Sequence, residues 1–261
     1  MKKLFIVLII LGFALGIFLI FNLWINNDSR NNPVEKPENV LSQKQEEPAA
    51  NELLYKDQNL AYEWLKVEDQ SKITLLPNFE EKLSSAEAKK SHACKYLVSG
   101  GFYTDKSSPI GLFIAEGREF QKQKTSSLLD GFFSINYLET PRITRTRPKD
   151  ELRIAIQSGP LIIENSFTKP LSIKNDFKAR RVLAITTGEN QTIFLTVFQK
   201  DSKISGPNLA DLPEVAKLIE NKIGIQFADA LNLDGGAASA YVGEALTLSE
   251  ISPIGSYFCI Q

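Results

Sequence analysis

The sequence predicts an α+β fold: a strand-rich single domain with a mixed or antiparallel sheet and a few helices, preceded by an N-terminal transmembrane helix. Three observations carry that expectation. Short apolar runs bounded by Gly, Pro or Asn recur at close spacing between residues 73 and 199, as strands should. Only one later stretch has a strong helical period. No internal repeat and no alternating strand and helix series is present, which argues against a doubly wound sheet.

Residues 1–26 come first. Lys2 and Lys3 precede an uncharged run from Leu4 to Ile25, broken only by Asn22. That run is long enough to span a bilayer, and it ends without the small-x-small site of a cleavable signal. It reads as a single-pass anchor with its N-terminus in the cytoplasm and the remainder extracytoplasmic, because the two lysines lie before the span. Residues 27–50, "NDSRNNPVEKPENVLSQKQEEPAA", have too few apolar groups to order themselves and read as a disordered linker. Residues 51–261 then form one globular domain.

Within the domain, "DQNLAYEWLKVEDQ" fits a short helix or an extended segment equally, whereas "SKITLLPNF" reads as a strand entering a turn. "SSAEAKKSH" reads as a helix that Ser85 can cap, followed by the strand "KYLVS" and a Gly-Gly turn. Further strands are expected in "IGLFIAEG", "LDGFFSINY", "ELRIAIQSG", "PLIIENS", "RRVLAITTG" and "TIFLTVFQ". The last two flank "GENQ" and form the clearest hairpin. Leu212, Val215, Leu218, Ile219 and Ile223 share one helical face, with Asp211 and Glu214 as a capping-box start and Pro213 in the first turn. The chain then passes Gly224 into the strand "IQFADALNLD".

Composition excludes several functions. Thirty Lys and Arg balance 31 Asp and Glu, so nucleic acid is not an expected partner. The one basic cluster, "RITRTRPK", reads as a solvated loop or as an attractor of anionic ligands and lipid headgroups. A single histidine, His92, excludes a Ser-His-Asp triad built elsewhere, and one His with two distant Cys does not make a zinc site. Cys94 and Cys259 are an even pair in an exported domain, free to be joined or to remain separate buried thiols.

Chemistry concentrates in "ALNLDGGAASAYV" at 230–242. Strand alternation puts Asn232 and Asp234 on one face and Leu231 and Leu233 on the other. Gly235 and Gly236 then permit close approach of a ligand or of another backbone. Asp-Gly-Gly alone serves equally well as a turn.

This stretch resembles the "N-x-x-N-L-D-G-G-G-S" signature of the phosphodiester glycosidase family. "LVSGGFYTDKSSPIG", "IQSGPLII" and "ARRVLAI" resemble other family segments in the same order. The resemblance spans about Leu75 to Val242. It implies an enzyme that cleaves the bond between a sugar's anomeric carbon and a phosphodiester. It implies Asp234 as the essential carboxylate and Arg180 as the phosphate contact, with Arg181 taking that place if the register slips by one. Asn232, Gly235 and Gly236 would form one wall of the site, Ser99, Gly100 and Gly101 another, and Ser158 with Gly159 a third.

Ser99 stands where the family has Asn, and Ala237 and Ala238 where it has Gly and Ser. These departures leave a second reading open, a glycan- or phosphoglycan-binding protein without catalysis. Glu164, Asp105 and Asp229 are the neighbours available as a second carboxylate. Phe102, Tyr103 and Tyr241 could stack on a sugar ring or simply pack. No metal is required, although Asp234, Asn232 and backbone carbonyls would suit Ca2+. The expected partners are a sugar-phosphate or glycan substrate and, through the N-terminal helix, the membrane.

Overall fold

A computed structural model describes residues 51–104 and 108–261. The anchor and linker expected over 1–50, and Asp105, lie outside the described residues. Among the described residues no helix is long and apolar enough to cross a membrane.

The chain opens with β1 (Asn51–Tyr55), β2 (Gln58–Val67) and β3 (Ile73–Pro77), then helix α1 (Ser85–Ser91) and β4 (Tyr96–Ser99). Next come β5 (Phe113–Ala115), β6 (Arg118–Gln121), β7 (Gly131–Asn136), β8 (Pro141–Thr144) and β9 (Leu152–Ser158). After these run β10 (Leu161–Glu164), β11 (Phe167–Thr168), β12 (Arg181–Thr187) and β13 (Thr192–Gln199). Helix α2 (Leu212–Ile223) leads into β14 (Phe227–Asn232), and β15 (Tyr241–Val242), β16 (Thr247–Leu248) and β17 (Ser256–Ile260) close the fold. The segment that fitted helix or strand is the ten-residue β2, fixed by pairing with β13 along its length.

Three sheets result among the described residues. A seven-stranded sheet has the order β1-β2-β13-β12-β14-β10-β11, and two five-stranded sheets have the orders β16-β15-β4-β17-β3 and β6-β5-β9-β7-β8. The ladders are antiparallel. β12 and β13 form the expected hairpin, with Leu183 opposite Leu195.

The large sheet is covered on both faces, which is why β12 is buried at every position. On one face Leu183, Ile185, Ile193 and Leu195 pack against Leu212, Val215, Ala216 and Ile219 of α2. Leu218, expected on that stripe, is exposed instead. On the other face Val182, Ala184, Phe194, Leu231 and Leu233 join Phe133 and Ile156 of the third sheet and Val98, Tyr241 and Phe258 of the second. The three sheets therefore share one core.

Both helix starts differ from expectation. Ser84, not Ser85, caps α1: its Oγ accepts the Glu87 N–H at 3.3 Å, and Glu87 accepts the Ser84 N–H at 2.9 Å. Ser85 is buried, and its N–H donates to Glu250 at 2.7 Å. At α2 a 3-10 turn over Leu209–Asp211 precedes the helix, and Asp211 makes no side-chain cap. Asp211 accepts Lys56 Nζ at 2.8 Å and Glu214 accepts the Tyr55 hydroxyl at 2.5 Å, tying α2 to the β1 hairpin.

The "RITRTRPK" cluster is neutralised locally. Arg142 pairs with Asp150, Arg145 with Asp130 and Glu164, and Arg147 with Glu119.

Cys94 and Cys259 are joined, with Cα atoms 5.2 Å apart, tying the connection that follows α1 to β17. The bridge spans 165 residues, so it restricts a large part of the unfolded chain. Replacing both cysteines by Ser should cost about 2–5 kcal/mol. Denaturant midpoints of the variant and the parent, with and without reductant, measure this, and only the parent should respond to reductant.

Candidate active site

The end of β14 builds the site. Leu231 and Leu233 turn into the core while Asn232 and Asp234 take the opposite face, as alternation requires. The strand end is laced to three segments. The Asn232 N–H donates to Pro160 O at 3.1 Å, the Leu233 N–H to Val182 O at 2.8 Å, and the Asp234 N–H to Gly100 O at 3.0 Å. Ser158 Oγ donates to Asn232 O at 2.7 Å, and Asn232 Nδ2 to Gly159 O at 2.9 Å.

These bonds hold Asp234 in a cleft of about 700 Å3, a size common for small-molecule sites. Asp234, Asn232, Gly235, Gly236 and Gly159 line it, and so does Arg181. Two glycines are demanded by close backbone approach. A Cβ on Gly235 would lie 2.5 Å from Arg180 O, and one on Gly159 would lie 2.2 Å from Leu128 O.

Asp234 is half-buried and is the one carboxylate lining the cleft among the described residues. Burial pushes its carboxyl up to about 7, opposed only by the Gly235 N–H that Oδ1 accepts at 2.9 Å. Burial and the Asp234 charge also raise the Tyr103 hydroxyl, which shares the cleft. Asn232 is 2% exposed, and its Oδ1 accepts no hydrogen bond. A buried acceptor left unmet in this way is costly.

The two arginines divide between faces. Leu183 lies opposite Asn232 in the β12–β14 ladder, so the antiparallel register carries Arg181 toward Asp234 and Arg180 to the core side. Arg181 Nε donates to Pro207 O at 3.2 Å and Nη2 to Phe177 O at 2.7 Å, with Asp176 3.6 Å away. Its guanidinium lies 5.5 Å from the Phe177 ring centroid.

Arg180, expected at the phosphate, does not line the cleft. It is fully buried, donating to Ser239 Oγ and O, to Lys203 O at 2.8 Å and to Ser249 O at 2.9 Å. It braces the turn behind Gly235 and Gly236. Nothing in the strand pattern separated the two, since both faces of β12 are buried; the register with β14 does.

The other expected residues stand behind the cleft. Gly100 abuts Ser256, Gly101 abuts Ile156, and Ser99 Oγ is buried without a partner. Glu164 is held by Arg145 and Lys169, and Asp229 accepts the Asn165 N–H at 2.9 Å; neither lines the cleft. Phe102 and Tyr103 do, whereas Tyr241 is core. His92 sits at the end of α1, its ring 5.9 Å from that of Tyr257. The lining residues missed from sequence include Leu128, Phe177 and Leu209, contributed by connections that carry no pattern.

For Ca2+ the set is thin. Among the described residues no three His, Cys, Asp or Glu gather. The carbonyls of Gly100, Gly159, Pro160 and Arg180 around Asp234 already accept N–H groups, against the six to eight oxygens that Ca2+ takes.

The sequence model of the phosphodiester glycosidase family matches residues 92–258, more than half of the chain. The curated proteins give no match. Among solved structures, the catalytic domain of zebrafish N-acetylglucosamine-1-phosphodiester alpha-N-acetylglucosaminidase, auto-inhibited by its pro-peptide, is similar, with TM-score 0.64 and 14% identity over 82% of this chain and 81% of that one. A Burkholderia pseudomallei protein described as exported is similar at TM-score 0.54 and 9% identity, over 78% of this chain and 74% of that one. A hypothetical protein from Synechocystis follows at TM-score 0.50 and 10% identity, over 81% of this chain and 61% of that one.

Proposed function

The chain belongs to the phosphodiester glycosidase family, and from that premise we propose that it hydrolyses a sugar 1-phosphodiester, acting as a membrane-tethered enzyme outside the cytoplasm on envelope or exopolysaccharide material. One observation carries the reading: among the described residues one carboxylate and one arginine line the cleft, and they converge on it from adjoining strand ends. The disulfide suits an oxidising compartment.

The chemistry needs little more. Breaking the bond between the anomeric carbon and the phosphate oxygen leaves an oxocarbenium-like carbon and a phosphate monoester. The ionised Asp234 stabilises the first. Arg181 neutralises the second through its remaining N–H groups, since Nε and Nη2 are committed to carbonyls. The phosphate departs as a stable anion and needs little help from a general acid. Water adds its oxygen to the anomeric carbon and gives up a proton to the departing phosphate monoester, yielding free sugar. Asn232 Oδ1 accepts a hydroxyl or amide N–H of the sugar, the donor that its burial calls for.

Phosphate contact is thus assigned to Arg181 rather than Arg180. The test is sugar release by the full chain from N-acetylglucosamine 1-phosphodiesters. Arg181→Lys keeps the charge but loses the planar fork, and should lower kcat/KM about 10- to 100-fold, chiefly through KM. The competing reading, binding without turnover, is favoured by Ala238, which lines the cleft where the family motif carries a hydroxyl. Tight binding of the phosphodiester with no sugar released would establish that reading instead.

A further inference from the structure

Resting on the hydrolase reading, we propose that the group on the far side of the phosphate is a linear hydrocarbon, so that the substrate is a sugar phosphodiester of an alkyl or isoprenyl alcohol. The charged and amide groups of the cleft lie along one seam, and Tyr103, Thr104, Ser126 and Ser252 add hydroxyls elsewhere on its wall. Asp234, Asn232 and Arg181 make that seam, and Phe102, Ile110, Leu129, Pro160, Ala179 and Leu209 supply much of the remaining wall. Two apolar side chains of the lining reach into solvent: Leu128 is 58% exposed and Phe177 66% exposed. Exposed residues of this size are ordinary when isolated, but here both border one cleft.

Arg181 decides what they touch. Its guanidinium lies against the Phe177 ring and bonds to the Phe177 carbonyl, so cation and ring form one unit. Asp176 fixes that unit by accepting the N–H groups of Phe177, Leu209 and Ala210 at 2.8–2.9 Å. Gly235 lies against the arginine, a Cβ there falling 3.7 Å from Arg181 Cδ. A phosphate placed on Arg181 has the reacting sugar on the Asp234 side and its second ester on the side of Phe177 and Leu209. Among the described residues no charged side chain lines the cleft on that side; the Asp176 carboxylate there is turned to backbone N–H groups. A carbohydrate or nucleotide there would leave hydroxyls and phosphates facing apolar walls, whereas a hydrocarbon would be desolvated on them.

The experiment uses the purified full chain and a series of N-acetylglucosamine 1-phosphodiesters with methyl, butyl and octyl esters, each below its micelle concentration, beside a nucleoside diphosphate sugar. Complete burial of each methylene is worth about fourfold, so butyl should exceed methyl at least about tenfold in kcat/KM, and octyl further. Leu128→Ser and Phe177→Ser should reduce the octyl-to-methyl ratio severalfold. Equal rates along the series, or preference for the nucleotide, would overturn the hydrocarbon assignment and leave hydrolysis standing. If nothing is hydrolysed, calorimetry decides. Affinity growing with chain length supports the hydrocarbon site and removes the reaction; affinity independent of length removes both.

Discussion

Asp234→Asn is expected to lower kcat about 100- to 10,000-fold while leaving the fold intact. The amide keeps an oxygen to accept the Gly235 N–H, so the change removes charge and little else. In the parent, kcat/KM should rise as pH increases through about 7, where Asp234 ionises in the free protein; the variant should lose that limb along with the rate. Activity that instead falls above this pH would make Asp234 a proton donor.

The same raised acid sets a stability signature. Between its ordinary value of 3.8 and about 7, the native carboxyl holds a proton that the unfolded chain has released. Stability from this group therefore declines as pH rises across that window. Asn has nothing to ionise. Its melting temperature should match the parent's near pH 4 and exceed it by pH 8, a cost in stability attached to function. A variant less stable at pH 8 would mean that Asp234 has a structural role.

Arg180→Met is expected to cost about 3–5 kcal/mol, as much as loss of the disulfide. Burial pulls the guanidinium down to about 10, with Glu250 opposing, so it remains charged at neutral pH. Removing it takes the donor from the buried carbonyl of Ser239 and from the part-buried carbonyls of Lys203 and Ser249, while the Ser239 hydroxyl keeps its bond to Gly236 O. Each unsatisfied group costs about 1–3 kcal/mol before relaxation. Urea denaturation measures the loss, and Arg181→Lys is the comparison, since it should change KM far more than stability. Parental stability of Arg180→Met with phosphate affinity gone would reverse the two assignments.

These two residues also show where sequence is transparent. Asn232 and Asp234 are readable because Leu231 and Leu233 give their strand an apolar and a polar face. β12 has no such contrast: "RRVLAITT" is apolar toward α2 and apolar toward the other sheets. Only its partner's register tells Arg180 from Arg181. Capping failed for a related reason. Ser84 and Ser85 are chemically alike, and what separates them is Glu250, 165 residues away. Asp211 and Glu214 have the capping spacing, but Lys56 and Tyr55 engage them first. Leu128 and Phe177 were illegible because a loop residue acquires its meaning from what the fold sets opposite it.

β14 has a consequence for how such a protein can change. The carboxylate projects from a strand whose other face is locked into the common core, while Leu128 and Phe177 ride on connections that carry no core strand. Selectivity is thus separable from the reaction at Leu128, whereas Phe177 also holds Arg181. Exchanging the connection around 122–129 while keeping Asp130, Asp176 and Phe177 should redirect the protein to new alcohols without disturbing bond cleavage, giving a practical route to a panel of enzymes from one scaffold.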